Sequence, residues 1–588
     1  MNVPAGTPRA GRVERTARRM LRPLKRRLLM HMRAHPDGRT KEYRKWLAEH
    51  SPGPPDHSSM RLESQAWGYR PLVSVILPVH NPDPAWISEA VQSVRDQTYD
   101  NWELCIADDH STRDGVTELL RMLASSEPRI KLALRETNGG ISAASNSALQ
   151  LAEGEFIALL DHDDRFEPHA LHMLVERLQK RPDLDFIYSD EDKVSVGGER
   201  VEPFFKPDWS PELLLSLNYI THMVIIRRSL VDAAGVFRSE MDGAQDFDLF
   251  LRCTELTSNI AHVPEVLYTW RKVASSVALS SEAKPWAYAA GLRALQDATC
   301  RRGLDAVVED GPYLGTYSLH RALPGAPSVT VIIPTRDRPD LLRRCLDSIE
   351  RQTTYPAYSV CVVDNDSRMA ATHALFEERR LHVVTAPGPF NYSRIVNRGV
   401  AAAGSDFVVL LNNDTTIRTP GWLEALLEQA IAQDVGAVGA RLVFPDGRPQ
   451  HEGITIDSGP GLGPTNLRVP RAFLDLTVNM PVPRDVSAVT AACMMVRTEL
   501  WRHLGGFDES LAVAYNDVDF CLRVQKEGYR VIYTPRAEVE HVEGASRGPL
   551  HPAGDEALFA ERWGAWNGGR DPYTSPHVKW VGGRYRMV

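Results

Sequence analysis

Residues 73–78 read Val-Ser-Val-Ile-Leu-Pro, and residues 329–334 read Val-Thr-Val-Ile-Ile-Pro. Short runs of this kind, dominated by β-branched residues, are typical of buried strands in parallel sheets. The two runs begin 256 residues apart, at 73 and at 329. Near identity at so long a spacing indicates one structural unit that is present twice, rather than a short-period solenoid.

Three further motifs recur in the same order in both copies. The pairs are Ile106-Ala-Asp-Asp109 with Val362-Val-Asp-Asn365, Leu159-Leu-Asp-His-Asp163 with Leu410-Leu-Asn-Asn-Asp414, and Asp246-Phe-Asp-Leu-Phe-Leu-Arg252 with Asp517-Val-Asp-Phe-Cys-Leu-Arg523. Within each copy, short apolar runs alternate with segments of helical periodicity, which is the pattern of consecutive βα units. We therefore predict an α/β protein with two tandem domains, each a mainly parallel sheet flanked by helices.

The composition of the chain excludes several classes of protein, and a Pro- and Gly-containing stretch indicates the domain boundary. The chain has 588 residues, 43% of them hydrophobic and 24% charged, as in globular proteins. No apolar stretch reaches the ~18–20 residues of a membrane span. The seven scattered cysteines form no Cys-x-x-Cys pair, which argues against a disulfide framework or a zinc site. The Pro- and Gly-containing stretch 323–327 separates predicted domains at 58–322 and 323–588, after a basic tail, helix and linker at 1–57.

Charge is distributed unevenly along the chain. Residues 1–48 hold 14 Lys and Arg against 3 Asp and Glu, whereas the remainder holds 54 against 73. The basic segment either contacts an anionic membrane surface or forms a solvated tail or docked helix. We expect no nucleic-acid partner, because the body is acidic and carries no nucleic-acid motif. The Arg-rich start lacks a signal-peptide pattern, so we expect a cytoplasmic protein, peripheral at the inner membrane face if the basic segment binds lipid.

Acidic residues follow successive predicted strands. Asp108 and Asp109 follow the second strand of the first copy, and Asp161 and Asp163 follow a later one. Open α/β sheets bind ligands at this edge, and carboxylates suit Mg²⁺ or Mn²⁺ held together with substrate phosphates. Any single Asp here could instead cap a helix or accept loop hydrogen bonds. Recurrence of the arrangement in both copies favours a metal-assisted site for a nucleotide diphosphate.

Together these motifs resemble the inverting family-2 glycosyltransferases, which have the GT-A fold. The resemblance covers both copies, over residues 71–575. Leu160-Asp-His-Asp-Asp164 is similar to the family's DxD metal motif, and Gln245-Asp-Phe-Asp248 to the motif that supplies its catalytic base. Residues 205–222 look like those of bacterial transferases that build O-antigen and related surface polysaccharides. The Asn412-Asn-Asp414 form resembles rhamnosyltransferases.

The resemblance implies a role for each matching residue. An inverting transfer needs a base within reach of the incoming hydroxyl, and the implied bases are Asp246 and Asp517. A divalent metal, Mn²⁺ or Mg²⁺, stabilises the diphosphate leaving group. The implied metal ligands are Asp161, Asp163, Asp414 and His541, and the implied nucleotide-sugar residues are Pro78, Asp108, Asp109, Asn138, Asp161, Pro334, Asp364, Asn391 and Asn412.

The two copies differ at the implied metal site. The first position of the metal motif is Asp161 in one copy and the neutral Asn412 in the other. His541 completes the second site, but the matching position of the first copy is Trp270. Since an indole is not a metal ligand, the first site is expected to lack one ligand.

The implied function is a bifunctional inverting glycosyltransferase for a bacterial surface glycan. Its donors would be nucleotide-diphospho-sugars, dTDP-rhamnose or a UDP-sugar, and its acceptor a growing, lipid-linked glycan. The alternative is one active domain, with the other kept as a glycan-binding or scaffolding module. Two aromatic residues, Trp209 and Tyr219, either stack on the acceptor or pack beneath the sheet.

Overall fold

The computed structural model describes residues 37–272, 285–456, 481–542, 552–581 and 584–588. Residues 1–36, most of the segment predicted to contact a membrane, lie outside this set. That contact therefore stays a prediction. No helix in the described ranges is long and apolar enough to cross a membrane.

The first domain is built on a nine-stranded sheet. Its strands are β1 (Val73–Val79), β2 (Trp102–Asp108), β3 (Ile130–Leu134), β4 (Phe156–Leu159), β5 (Arg165–Phe166), β6 (Phe186–Val194), β7 (Arg200–Phe204), β8 (Val224–Arg227) and β9 (Ile260–Arg271). The helices up to β9 are α1 (Asp37–His50), α2 (Pro54–Gln65), α3 (Pro84–Arg95), α4 (Val116–Ser126), α5 (Ile141–Leu149), α6 (Ala170–Lys180), α7 (Pro211–Leu214), α8 (Arg228–Ala234) and α9 (Gln245–Leu256), with a 3₁₀ turn at Ser239–Met241.

A connecting unit lies between the two sheets in sequence. It consists of α10 (Pro285–Arg301) and a hairpin of β10 (Ala306–Asp310) and β11 (Tyr317–Arg321).

The second domain repeats the first on a ten-stranded sheet. Its strands are β12 (Val329–Thr335), β13 (Tyr358–Asp364), β14 (His382–Thr385), β15 (Phe407–Leu411), β16 (Thr415–Ile417), β17 (Val435–Val443), β18 (Pro449–His451), β19 (Arg484–Asp485), β20 (Cys493–Arg497) and β21 (Arg530–His541). Its helices are α11 (Pro339–Gln352), α12 (Ala370–Glu378), α13 (Tyr392–Ala402), α14 (Trp422–Ala430), α15 (Thr498–His503), α16 (Asn516–Lys526) and α17 (Ala553–Trp563). A 3₁₀ turn at Trp566–Gly569 and a hairpin of β22 (Val578–Val581) and β23 (Arg584–Met587) follow.

The two sheets have the same strand order. The first runs β3-β2-β1-β4-β8-β6-β9-β5 and the second β14-β13-β12-β15-β20-β17-β21-β16. The strands from β3 to β4 are parallel, β8 is antiparallel to its neighbours, and β6 and β9 are parallel to each other. Val73 pairs with Trp102, and Val329 pairs with Tyr358, so the 256-residue offset holds in the strand register. The predicted fold class, two mainly parallel sheets flanked by helices, is confirmed.

Each central strand is buried on both faces, which explains its continuous apolar sequence. In β1, Val75 and Leu77 face one hydrophobic core while Ile76 faces the other. In β12, Val331 and Ile332 divide between two cores in the same way. Because helices cover both faces, only the strand ends are left free to form a site.

Buried polar contacts join the two domains. Arg321, at the end of β11, makes two hydrogen bonds to Glu212 at 3.0 and 2.9 Å and one of 2.9 Å to Gln429 of α14. Ser210 donates a 2.7 Å hydrogen bond to Asp485 of β19. The bonds to Gln429 and Asp485 form only when both domains are in contact, so they help to fix the relative position of the domains.

Both ends of the described chain pack on the first domain. Tyr43 of α1 donates a 2.7 Å hydrogen bond to Asp192 of β6, and the Trp46 indole donates one of 3.0 Å to the carbonyl of Val588. The amide of Asp208 donates a 2.7 Å hydrogen bond to the carbonyl of Pro572. The C-terminal segment thus returns from the second domain to the first.

Candidate active sites in the two domains

A cavity of about 840 Å³ opens at the carboxyl ends of β1 and β4 in the first domain. Six residues that the sequence assigned to ligand binding or catalysis line it: Pro78, Asp109, Asn138, Asp161, Asp163 and Asp246. They come from five separate stretches of sequence, so their convergence follows from the strand order. Asp108 does not line the cavity; its carboxylate instead accepts the amide of Ser111 at 3.2 Å.

Asp109 organises the loop that forms one side of the cavity. Its carboxylate accepts the amides of Gly139 and Gly140, at 2.9 and 2.8 Å, and the guanidinium of Arg135 at 2.7 Å. Gly140 has φ +87°, and a Cβ there would lie 2.1 Å from a carboxylate oxygen of Asp242. Only glycine therefore fits this turn, which carries the neighbouring Asn138 into the cavity.

Three potential metal ligands meet at this cavity: Asp161 and His222 line it, and Asp164 is buried beside them. One donor atom from each of Asp161, Asp164 and His222 lies within 4.8 Å of the other two. Burial raises the pKa of Asp161 and of Asp164, and repulsion from neighbouring carboxylates adds to the effect. Two carboxylates, of which Asp164 is buried, and an imidazole match the donors that Mn²⁺ accepts, so this set fits a divalent cation.

The cluster differs from the predicted ligand set in two residues. Asp163 lines the cavity but is not one of the three, and its backbone carbonyl accepts the Arg271 guanidinium at 2.8 Å. Asp164 takes its place, held by a 2.7 Å hydrogen bond from the Tyr268 hydroxyl. His222 stacks on the same tyrosine, with ring centroids 4.5 Å apart. It supplies the imidazole that the sequence motif lacks at Trp270.

A buried ion pair holds the loop that carries His222. Glu191 accepts the Thr221 hydroxyl at 2.7 Å and the His222 amide at 3.0 Å. The Lys206 ammonium lies 3.3 Å from Glu191, donates a 2.6 Å hydrogen bond to the carbonyl of Ile220 and also bonds the carbonyl of His222. Burial alone would raise the pKa of Glu191, but Lys206 and the loop donors outweigh it, and the pKa is lowered. The carboxylate therefore stays charged and fixes the loop.

Asp246 and Asp248 occupy the first turn of α9 but have different surroundings. Asp246 lines the cavity and accepts a 2.9 Å hydrogen bond from Asn218 of the same loop. Asp248 is fully buried, bonding Arg238 and accepting 3.0 and 2.7 Å hydrogen bonds from Arg252. Of the two carboxylates, only Asp246 is placed to reach a ligand.

The second domain places Asp517 and Asp519 in the same way. Asp517, in the first turn of α16, accepts the amide of Ala491 at 3.0 Å and that of Val518 at 2.9 Å. Burial raises the pKa of Asp517, although these donors oppose the shift. Asp519 is buried and accepts 2.8 and 2.9 Å hydrogen bonds from Arg523 and Trp563.

The predicted metal residues of the second domain also converge. His541 Nε2 lies 3.3 Å from a carboxylate oxygen of Asp414 and 3.5 Å from the amide nitrogen of Asn412. The Tyr392 hydroxyl donates a 3.0 Å hydrogen bond to Asn412. In the described part of the chain, a cluster of three ionisable donors is found in the first domain only.

The remaining predicted residues of the second domain lie at or beside strand ends. Pro334 is in β12, and Asp364 ends β13 and accepts the amide of Ser367 at 3.1 Å. Asn391 caps α13, accepting the amide of Arg394 at 2.9 Å. The contacts of Asp364 and Asn391 shape loops, as those of Asp108 do in the first domain.

The two aromatic residues considered for acceptor binding both pack inside the protein. Tyr219 is fully buried, with its hydroxyl 3.3 Å from that of Tyr188. Trp209 packs against the same core. The stacking interpretation is therefore wrong for Tyr219, because no ligand can reach its ring.

Comparison with known proteins assigns these sites to a family. The sequence profile of Glycosyl transferase family 2 matches residues 74–235 and 330–498, one range in each domain. The chain belongs to glycosyl transferase family 2. Both matched ranges include the first strand and the acidic motif of their domain, so the predicted tandem arrangement is confirmed.

Two relatives align with most of this chain. An uncharacterized protein, y4gI of Sinorhizobium fredii, is 43% identical over 487 residues, 81% of this chain and 54% of its own length. The O-antigen biosynthesis protein RfbC of Myxococcus xanthus is 37% identical over 515 residues, 87% of this chain and 40% of its own. This chain thus spans about half the length of the relatives it matches, or less.

Solved structures give a more distant likeness. The structure of residues 1–349 of TarS from S. aureus with UDP-GlcNAc is 22% identical, with a TM-score of 0.32. The match covers 38% of this chain and 66% of that one.

Proposed function

We propose that the chain is a bifunctional inverting glycosyltransferase. Each domain would transfer a sugar from a nucleotide-diphospho-sugar to a growing bacterial surface glycan of the O-antigen type. One observation carries the proposal: Asp246 lines the same cavity as Asp161 and His222, two of the three residues of the potential metal cluster. A sugar transfer needs a base and a site for the diphosphate within the length of one substrate.

The roles of the first-domain residues follow from their chemistry. Asp161, Asp164 and His222 would hold a divalent metal, which when bound stabilises the negative charge of the leaving diphosphate. Asp246 would accept the proton of the acceptor hydroxyl as that oxygen attacks the anomeric carbon. The Asn218 amide, 2.9 Å away, orients this carboxylate. Asn138 and the glycine-rich turn that Asp109 organises would contact the nucleotide sugar.

The second domain would run the same chemistry with different residues. Asp517 is the proposed base, and Asp414 and His541, with the neutral oxygen of Asn412, would hold the metal. Replacing an aspartate by Asn412 removes one negative charge from the site, so the two domains are expected to prefer different donors. The donors that we propose are dTDP-rhamnose and UDP-sugars, with a lipid-linked glycan as acceptor.

A second candidate function has one specific observation in its favour. Only the first domain has three ionisable metal donors among the described residues. On this alternative the first domain is the active transferase, and the second is a glycan-binding or scaffolding module.

A donor assay on the full chain separates the two candidates. We would measure hydrolysis of dTDP-rhamnose, UDP-glucose and UDP-N-acetylglucosamine with Mn²⁺ or Mg²⁺, in the wild type and in Asp246→Asn and Asp517→Asn variants. If each variant loses a different donor activity, both domains are active. If only the Asp246→Asn variant loses donor hydrolysis, the single-transferase alternative is supported. A wild-type chain that hydrolyses no donor and transfers no sugar would contradict the proposal.

A further inference from the structure

Four aromatic side chains line the first-domain cavity, and we call them the aromatic wall. The wall consists of Trp270, Trp286, Tyr288 and Tyr317. Trp270 ends β9, whereas the other three belong to α10 and β11 of the connecting unit. The residues proposed for the nucleotide sugar come from the loops after β1 to β4 instead, so the wall is a separate surface of the same cavity.

We propose that this aromatic wall is the acceptor subsite of the first domain. It would take a pyranose whose apolar face lies on Trp286 and whose hydroxyl reaches Asp246. The inference rests on the proposed function, because an acceptor is needed only by a transferase. It adds the chemistry by which the acceptor is recognised and the residues that recognise it.

Two glycine contacts hold the rings of the wall in place. Gly243 has φ +89°, and a Cβ there would lie 2.2 Å from the Trp286 ring, so this ring rests directly on the backbone three residues before Asp246. A Cβ at Gly291 of α10 would lie 1.9 Å from the Tyr317 hydroxyl. Both rings are therefore fixed before a ligand arrives, and binding costs little side-chain entropy.

Contacts between rings link the wall to the proposed base. Tyr317 stacks on Phe247, with centroids 6.0 Å apart and planes 16° apart, and Phe247 directly follows Asp246. On the other side, Trp270 meets the His222 ring edge-on at 5.8 Å. Tyr317 thus lies beside the residue that follows the base, and Trp270 lies beside the metal cluster. An acceptor bound between these two points would present its hydroxyl where the transfer occurs.

Exposure of Trp286 favours a ligand over a packing role. Its exposed fraction is 51%, which is large for a tryptophan in this domain: Trp102 is buried, and Trp209 and Trp270 are half-buried. A large aromatic ring left open to water in a cavity with carboxylates has the character of a binding surface. The C–H groups on one face of a pyranose match such a ring, while the sugar hydroxyls can reach Asp246 and Gln245.

The test uses the full chain with octyl glycosides of glucose, N-acetylglucosamine and rhamnose as acceptor probes. We would compare the wild type with Trp286→Ala, Trp286→Phe and the control Leu314→Ala. Leu314 is 55% exposed in the same connecting unit but does not line the cavity. Binding is measured by saturation-transfer NMR, the acceptor KM in the transfer assay, and donor hydrolysis without acceptor.

We expect Trp286→Ala to raise the acceptor KM or Kd about tenfold, with donor hydrolysis within about twofold of the wild type. Trp286→Phe should recover most of the affinity, and Leu314→Ala should change nothing. An unchanged acceptor KM in Trp286→Ala would overturn the inference, as would a wild-type chain that hydrolyses donor but binds none of the glycosides. Both results leave the proposed function intact, whereas a wild-type chain that neither hydrolyses donor nor transfers sugar would overturn the proposed function and this inference together.

Discussion

Substituting Lys206 by methionine tests whether the buried ion pair positions the metal cluster. The ammonium is inaccessible to solvent and bonds Glu191 and the carbonyls of Ile220 and His222. Methionine keeps the volume but removes the charge and all three contacts. Removing one partner of a buried ion pair costs about 3–5 kcal/mol, because the remaining groups lose their compensation. We expect the free energy of unfolding of the first domain to fall by this amount.

The positioning argument also predicts a loss of metal affinity. His222 is held through its amide by Glu191 and through its carbonyl by Lys206, so Lys206→Met releases one of its two restraints. Groups that orient a metal ligand typically contribute about 10–100-fold to metal affinity. We would measure Mn²⁺ binding by electron paramagnetic resonance in a chain carrying Asp414→Asn, which removes an ionised donor of the second domain.

Arg321→Met is the matched control for this experiment. Arg321 and Glu212 also form a buried ion pair, with side chains 7% and 4% exposed, but they lie between the domains and away from the cavity. We expect a similar loss of stability without a change in first-domain Mn²⁺ affinity. If both variants weaken Mn²⁺ binding equally, or neither does, the positioning argument is refuted. The double variant Lys206→Met/Glu191→Gln should regain stability, since it leaves no uncompensated charge.

Four further substitutions test individual residues. His222→Ala should weaken Mn²⁺ binding to the first domain at least about tenfold, while His541→Ala should affect only the second, as calorimetric titration of each variant would show. Because burial raises the pKa of Asp517 and only the carboxylate accepts a proton, second-domain transfer should fall on acidification. The midpoint in the pH–rate profile should lie above the ordinary value for an aspartate, and Asp517→Asn should abolish the activity. Gly140→Ala places a Cβ 2.1 Å from Asp242 at a positive φ, so it should cost at least about 1 kcal/mol in thermal or urea unfolding and lower donor affinity; unchanged values would contradict the role of this turn.

Most of the fold follows from local sequence patterns. The apolar runs at the start of each copy predict the central strands because a strand buried on both faces needs apolar side chains throughout. The repeated motifs predict where the acidic residues lie, since each follows a strand whose position in the sheet is set by the βα pattern. For the same reason, six of the predicted first-domain residues meet in one cavity.

The sequence could not predict the contacts that depend on distant parts of the chain. His222 reaches the cluster because Glu191, 31 residues earlier, holds its amide, and nothing around position 222 signals this contact. Asp164 is adjacent to the predicted Asp163, and only the distances between donor atoms show which of the two carboxylates joins the cluster. The connecting unit carries none of the sequence motifs that repeat, so the position of Trp286 in the same cavity as Asp246 is visible only in three dimensions.

The strand register shows how the two domains place an imidazole at corresponding sites from different strands. Phe156 pairs with Arg227 in the first sheet, and Phe407 pairs with Arg497 in the second, so His222 corresponds to Ala492. In the second domain the imidazole comes instead from His541, which matches Trp270. Because His222 supplies the ring in the first domain, position 270 is free to carry an indole of the aromatic wall. Each site therefore keeps one imidazole, but the first site also has an indole, at Trp270, on the surface proposed to contact the acceptor. This difference in surface is a physical reason to expect different acceptors at the two sites.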